Sequence, residues 1–476
     1  VNIDALLSSK KKRRNVMDKK FLWEKIQTFF QELWKKISGF AAEYTLLTDA
    51  YQAWRDWIKK LPLPRPKFFQ KQLSNRQFVG VLLTVVGLSA GLILLSEHVQ
   101  DFTFLSPSKK EQQSDPSQNQ MVRIMATGDL LYHDGLYLSA QKEDGTYDFS
   151  ENFHYAKEWL RQGDLVLGDF EGTIRPDYPL NGYPLFNAPE AVVPAIKDTG
   201  YQVIDLAHNH ILDSGLEGVL TTAQAFEKEG ITPIGVYPHE KRSQAPLLIK
   251  EVKGIKIALL AYSYGYNGME GLLSQEDYDN LLSNLDEEKM RAEIERAEKE
   301  ADITVVMPQM GIEYQLEPTE EQMTLYHKMV DWGADIVFGG HPHVVQPAEI
   351  LEKDGQKKLI MYSMGNFISN QRIETMEEIE NAHWTERGVL MDVTIEKTPK
   401  GTQIKSAQAH PSWVSRVEKV ATSADGLPLY TYQTWILDDF IEGGKYRDKL
   451  NQETRARIDT AYQEMNSHVG LNWPGQ

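Results

Sequence analysis

The 476-residue sequence contains no cysteine, so neither a disulfide framework nor thiolate chemistry is available to it. It is also short of positive charge. Its 51 Lys and Arg stand against 68 Asp and Glu, a formal net charge of −17. The acidic exterior argues against non-specific nucleic-acid binding, which needs clustered Lys and Arg to neutralise phosphates. Long apolar runs are equally scarce. One segment, residues 78–96 (FVGVLLTVVGLSAGLILLS), runs 19 residues without a charge, close to the ~20 that span a hydrocarbon core.

That segment divides the chain by charge. Residues 1–77 carry 17 Lys and Arg against 7 Asp and Glu, about +10, which leaves about −27 for residues 97–476. The basic flank predicts a single-pass protein of the bacterial cell membrane, with residues 1–77 cytoplasmic and residues 121–476 extracytoplasmic. The lipid bilayer is then an expected partner. Before the apolar segment, Leu22, Ile26, Phe29, Leu33, Ile37 and Phe40 recur at helical spacing. They describe an amphipathic helix that either lies on the inner leaflet or packs on itself or a partner. After it, residues 97–120 include the polar run SPSKKEQQSDPSQNQ, which reads as a flexible stalk.

From residue 121 onward short apolar runs alternate with helical stretches. The runs at 122–126, 165–168, 203–207, 255–261, 303–307, 336–338 and 359–362 predict strands of an α/β domain, and 389–395 begins a later, antiparallel part. Polar residues follow the strands with regularity: Asp129; Asp169 and Glu171; His208, Asn209, His210 and Asp213; Gln309 and Glu313; His341 and His343; Asn366. In open α/β sheets ligands bind beyond the carboxyl ends of the strands. Imidazole and carboxylate together suit Zn, Mn or Fe, whereas oxygen alone favours Mg or Ca. His98, His154, His239, His327 and His468 lie outside these turns and read as solvated or structural, while His133 and His410 stay open.

The ordered set GDLLYHDG, GDFEGT, AHNHILDSG, MGIEY, GGHPHVVQP and YSMGNF, over about residues 121–415, resembles the bacterial capsule-synthesis CapA family, which is linked to poly-γ-glutamate capsules. The resemblance implies a relative of the calcineurin-type metallophosphoesterases, an αββα sandwich holding one or two divalent ions. It places Asp129, Asp169, Asn209, His341 and His343 as metal ligands and His210 as general acid. Glu171 and Glu313 would bind metal, orient His210 or meet substrate amines. Three departures stand out. Leu131 occupies the place of a phosphoesterase histidine, His208 replaces an asparagine, and Gln309 with Met310 replaces His-Trp, offering a neutral oxygen for an imidazole nitrogen. Two expectations follow from the resemblance. The first is a role in the synthesis or export of poly-γ-glutamate or another capsule polymer, with a polyanionic polymer and a capsule synthesis and export membrane complex as partners. The second is a metal-dependent surface phosphoesterase or hydrolase unrelated to capsule.

Overall fold

A computed structural model describes residues 120–423 and 426–474. Among these residues no helix is long and apolar enough to cross a membrane, which corrects the expected single-pass membrane placement. The segment at 78–96 on which that placement rested, the amphipathic helix before it and the expected stalk at 97–120, apart from its last residue Gln120, which opens β1, lie outside the described residues.

The expected strands form, and they assemble into two sheets. The first runs β14 (Pro428–Ile436), β13 (Gly401–Thr422), β12 (Arg387–Thr398), β1 (Gln120–Leu131), β2 (Leu165–Glu171), β3 (Val203–Asp205) and β4 (Thr232–Ile234), with β11 (Asn366–Ile368) also paired to β1. The second runs β5 (Leu248–Val252), β6 (Ile255–Ser263), β7 (Ile303–Gln309), β8 (Ile336–Phe338), β10 (Gln356–Met361) and β9 (Ala348–Lys353). Strands β1 to β4 are parallel, as are β6, β7, β8 and β10, while β12, β13 and β14 pair antiparallel.

The layering follows from side-chain alternation along each strand. Ile124, Ala126, Leu165 and Leu167 face Ile257, Leu259, Val305 and Phe338 across the space between the sheets. Their neighbours Met125 and Val166 point the other way, onto the helices Val192–Thr199 and Gly215–Lys228 through Val193, Ile196, Val219 and Phe226. On the far side Ala258, Leu260 and Val306 meet Met290, Ile294, Tyr326 and Met329 of the helices Glu287–Glu300 and Glu320–Trp332. The result is an α/β sandwich of the expected αββα order. Both faces of both sheets are buried, which is why the central strands read as near-continuous apolar runs rather than alternating ones. Each fully buried Val, Leu or Ile contributes roughly 1.5–3 kcal/mol.

His410, left open by its sequence context, sits on β13 away from the strand ends. Its ring lies 4.7 Å from that of Trp159 and between Asp438 (3.4 Å) and Asp392 (3.8 Å), the latter clamped by Arg123 at 2.8 and 2.6 Å. Burial alone would lower its pKa, but hydrogen bonds to the two aspartates overcome that and raise it to about 9. A histidine whose folded pKa exceeds its unfolded value of ~6.5 stabilises fully below the unfolded value and loses that contribution as pH rises toward the folded one. Thermal melts of the wild type minus those of His410→Gln should therefore show a gap at pH 6 that shrinks by pH 9.5. A gap independent of pH would contradict this.

Candidate metal centre

The parallel strands of both sheets end on one rim. β1 carries Asp129 near its end, β2 ends in Asp169, Phe170 and Glu171, β7 ends at Gln309, and the turn after β8 carries His341 and His343. Glycine makes the close approach workable. A Cβ on Gly128 would run into the Gly365 carbonyl, the group that accepts the Asp129 N–H at 3.0 Å. The backbone is strained in two loops at this rim: Tyr314 after β7, and His341 and His343 after β8, have φ of 66°, 94° and 57°. Such non-glycine positions cost on the order of 1–3 kcal/mol each and cluster at functional sites.

Three ligand-type groups converge. One oxygen each from Asp129 and Glu171 and one ring nitrogen from His343 lie within 4.8 Å of one another, all buried. His343 Nδ1 is 2.9 Å from Asp129 Oδ2 and 3.6 Å from Glu171 Oε2. The other Asp129 oxygen and both Glu171 oxygens have no hydrogen-bond partner. Buried acceptors without donors are expensive unless a cation faces them, so the donor set fits a divalent ion.

The electrostatics say the same. Burial pushes the Glu171 carboxyl up to about 7, with Asp129 adding to the rise and His343 opposing it. Burial and the neighbouring Asp205, Asp129 and Glu171 raise Asp169 well above the usual carboxylate range. His343 moves the opposite way from an ordinary buried histidine. Burial would lower it, yet Glu171 and the Asp129 hydrogen bond hold it up at about 10. His341, buried without a carboxylate partner, falls to about 3.

Other expected residues line the same region in different roles. Asp169 stands in register with Asp129 and accepts from the Gln309 amide nitrogen, so Gln309 grips a carboxylate with its nitrogen and leaves its oxygen unpaired. Asn209 and His341 are buried, each with one unpaired polar atom. Asn209 donates to Asn267 at 3.3 Å, and the His341 ring lies 4.5 Å from Tyr264. His210 Nδ1 meets Asp213 at 2.7 Å, Asp213 accepts the Phe186 N–H at 2.6 Å, and His210 Nε2 points to Glu171 at 4.0 Å. Burial would lower the His210 pKa, but Asp213 and Glu171 raise it. His208 turns into its own loop, accepting the His210 N–H at 3.2 Å, and burial lowers it well below the ordinary value. Glu313 is exposed on the rim, while Asn366 spends its amide on Thr385 O and Gln371.

The structure adds three participants, one left open by the sequence and two missed by it. His133, the open one, is held at about 3 chiefly by burial and then by His343 and His210, and lies beside the cluster with its ring 5.0 Å from Phe186. Asp205, at the end of β3, is buried beside Asp169. Asn267, at φ 53°, reaches both Asn209 and His210. Asp205 left a signal, a lone acid in an apolar run just before AHNH; Asn267 lies in a loop with none.

Comparison with known proteins adds context to this geometry. The family model described as bacterial capsule synthesis protein PGA_cap matches residues 123–371. The Bacillus anthracis capsule biosynthesis protein CapA is 25% identical over 307 residues, 63% of this chain and 70% of that one. The Bacillus subtilis PGA biosynthesis protein CapA is 31% identical over 222 residues, 46% of this chain and 57% of that one. Among solved structures, the calcineurin-like phosphoesterase YfkN from Bacillus subtilis aligns with a TM-score of 0.38 and 14% identity, covering 74% of this chain and 100% of that chain.

The repulsion within the carboxylate cluster yields a measurable consequence. Glu171→Gln preserves shape and removes one buried charge. In metal-free protein at pH 8 the variant should be more stable than the wild type by about 1–3 kcal/mol, from the linkage of a raised carboxyl pKa. Urea denaturation showing equal or lower stability would refute that electrostatic account.

Proposed function

Because the chain belongs to the bacterial capsule synthesis protein PGA_cap family, we propose that it acts in the synthesis of a capsule polymer through a divalent ion held by Asp129, Glu171 and His343. Poly-γ-glutamate is the favoured product, since the Bacillus subtilis relative is named for PGA biosynthesis. The observation that carries the reading is the convergence of those three ligand atoms from three separate strand ends within 4.8 Å, all buried. One imidazole and two carboxylates favour Mn, Zn or Fe.

A divalent ion there supplies Lewis-acid polarisation of a phosphoryl or carbonyl oxygen. The chain's own residues supply the rest. Asp213 fixes the His210 ring through Nδ1, and the Phe186 N–H fixes Asp213 in turn, so Nε2 is the atom that carries a proton toward the cluster. An imidazole held this way suits protonation of a leaving oxygen or nitrogen. The ring of Phe186, 4.7 Å from His210, covers it on one side. The acidic surroundings would repel a polyanionic polymer unless cations intervened, so an ion held by Asp129, Glu171 and His343 would also favour the approach of an anionic substrate.

This His210–Asp213 pair supports a second reading, a metal-dependent phosphoester hydrolase unrelated to capsule. The two readings separate by experiment. Deleting the gene should abolish the capsule polymer. Wild-type protein should restore it, and Asp129→Ala with His343→Ala should not. Full restoration by the double variant would end the metal-dependent capsule reading. Turnover of a chromogenic phosphodiester with Mn present, lowered roughly 10²–10⁴-fold in His210→Ala while capsule is unaffected by the deletion, would establish the hydrolase instead.

A further inference from the structure

A cavity away from the metal cluster opens where the two sheets end, between β4 of one and β5 of the other. Its volume is about 550 Å³, within the ~300–1,000 Å³ of small-molecule sites. The walls are largely apolar, with Ile234, Val236, Pro246, Leu247, Leu248 and Leu259 lining it. Lys250 Nζ reaches from β5 to Thr232 Oγ1 at 2.8 Å and ties the two edges together. In β4 the Thr232 N–H donates to the Gln202 carbonyl at 2.9 Å, and the Ile234 carbonyl accepts the Leu206 N–H at 3.0 Å. Thr232 and Ile234 therefore face β3, and Pro233 faces outward. Proline has no N–H to offer there, so an added strand finds no donor at that position of the edge. A peptide strand fits this place poorly, and a small molecule fits it well.

Charge narrows the occupant further. Most charged groups in the lining are spent on one another. Arg242 holds Glu293 through two bonds of 2.9 Å, Lys289 meets Asp279 at 3.0 Å, and His239 meets Glu227 at 2.8 Å, while Glu240 is exposed. Arg296, on the helix Glu287–Glu300, is the exception. Its Nη2 donates to the Ala245 carbonyl at 3.3 Å, its Nε has no hydrogen-bond partner, and the carboxylate it pairs with, Glu300, stands 3.9 Å away. A guanidinium carries five donors and matches a carboxylate with two parallel bonds. An apolar cavity with one underused guanidinium in its wall suits an amphipathic anion.

We propose that this cavity binds a medium-chain fatty carboxylate, with its alkyl chain between β4 and β5 and its carboxylate on Arg296. The chain gains from leaving water for the walls formed by Ile234, Leu248 and Leu259, and the guanidinium gains the acceptors that it lacks. No residue of the cavity belongs to the Asp129–Glu171–His343 cluster, so occupancy here is independent of an ion there.

Isothermal titration calorimetry of the full-length protein with decanoate is the test, and saturable binding to a single class of site is expected. Octanoate, two methylenes shorter, should bind roughly ten-fold more weakly. Decanol, which lacks the charge, should lose about ten-fold as well, and so should decanoate titrated into Arg296→Gln. Leu248→Glu sets a carboxylate in the apolar wall and should abolish binding. Absence of saturable decanoate binding below about 1 mM would overturn the site. Octanoate binding as tightly as decanoate would overturn the placement of the chain. Decanol matching decanoate, or Arg296→Gln binding decanoate unchanged, would overturn the pairing with Arg296. The decanoate, octanoate and decanol titrations use the wild type alone, so they decide the matter whether or not a variant folds.

Discussion

Everything at the functional rim depends on acids held where water does not reach them. Asp129, Asp169, Glu171 and Asp205 are each about 1% exposed or less, and the cationic groups that face them are imidazoles, His343 against Asp129 and Glu171 and His210 at 4.0 Å from Glu171. Burying even one carboxylate without compensation is costly enough that proteins normally protonate it or pair it. A chain that gathers four concentrates that cost at one rim, which is the donor chemistry that a cation would offset.

The sandwich is what enforces the gathering. Asp129, Asp169 and Asp205 stand in register because β1, β2 and β3 are parallel neighbours, while His343 and Gln309 arrive from the opposite sheet. The contacts His343–Asp129 and Gln309–Asp169 therefore tie the two sheets together at their carboxyl ends. The apolar core between the sheets, running from Ile124 to Phe338, sets their separation and with it the reach of those side chains. Strain follows from the same demand. The turn after β8 must present two histidines two residues apart, and it does so with both at positive φ.

The replacement of an expected histidine by Gln309 acquires a physical meaning in this setting. A glutamine cannot match an imidazole as a ligand for zinc-like ions, but its amide nitrogen secures Asp169 and its oxygen stays bare. The neighbourhood becomes one of oxygen atoms, with Asp205 contributing charge. His210, by contrast, is prepared as a proton carrier: Asp213 fixes one ring nitrogen and Glu171 faces the other. The buried acids and the His210–Asp213 pair thus occupy adjoining parts of the rim, the arrangement that the proposed metal-assisted chemistry on an oxyanion or amide would need.

The strands and the order of polar strand ends were legible in the sequence because both are local. Fully buried parallel strands announce themselves as apolar runs, and a residue such as Asp129 sits at a strand end whatever its partners. Which of those ends meet was not local. The resemblance named Asp169, Asn209 and His341 as ligands and left the role of Glu171 open, whereas the packing brings Asp129, Glu171 and His343 within one ion's reach and turns Gln309 toward Asp169. Asp205 and Asn267 escaped notice because their significance lies in register and in loop closure, neither of which has a motif. The amino-acid sequence by itself determined the family, the α/β class and the chemistry of the donor atoms, since these reside in residue types and their order. Only the tertiary structure decided which donors share a site, because that depends on how two sheets are spaced and registered by contacts far apart in the chain.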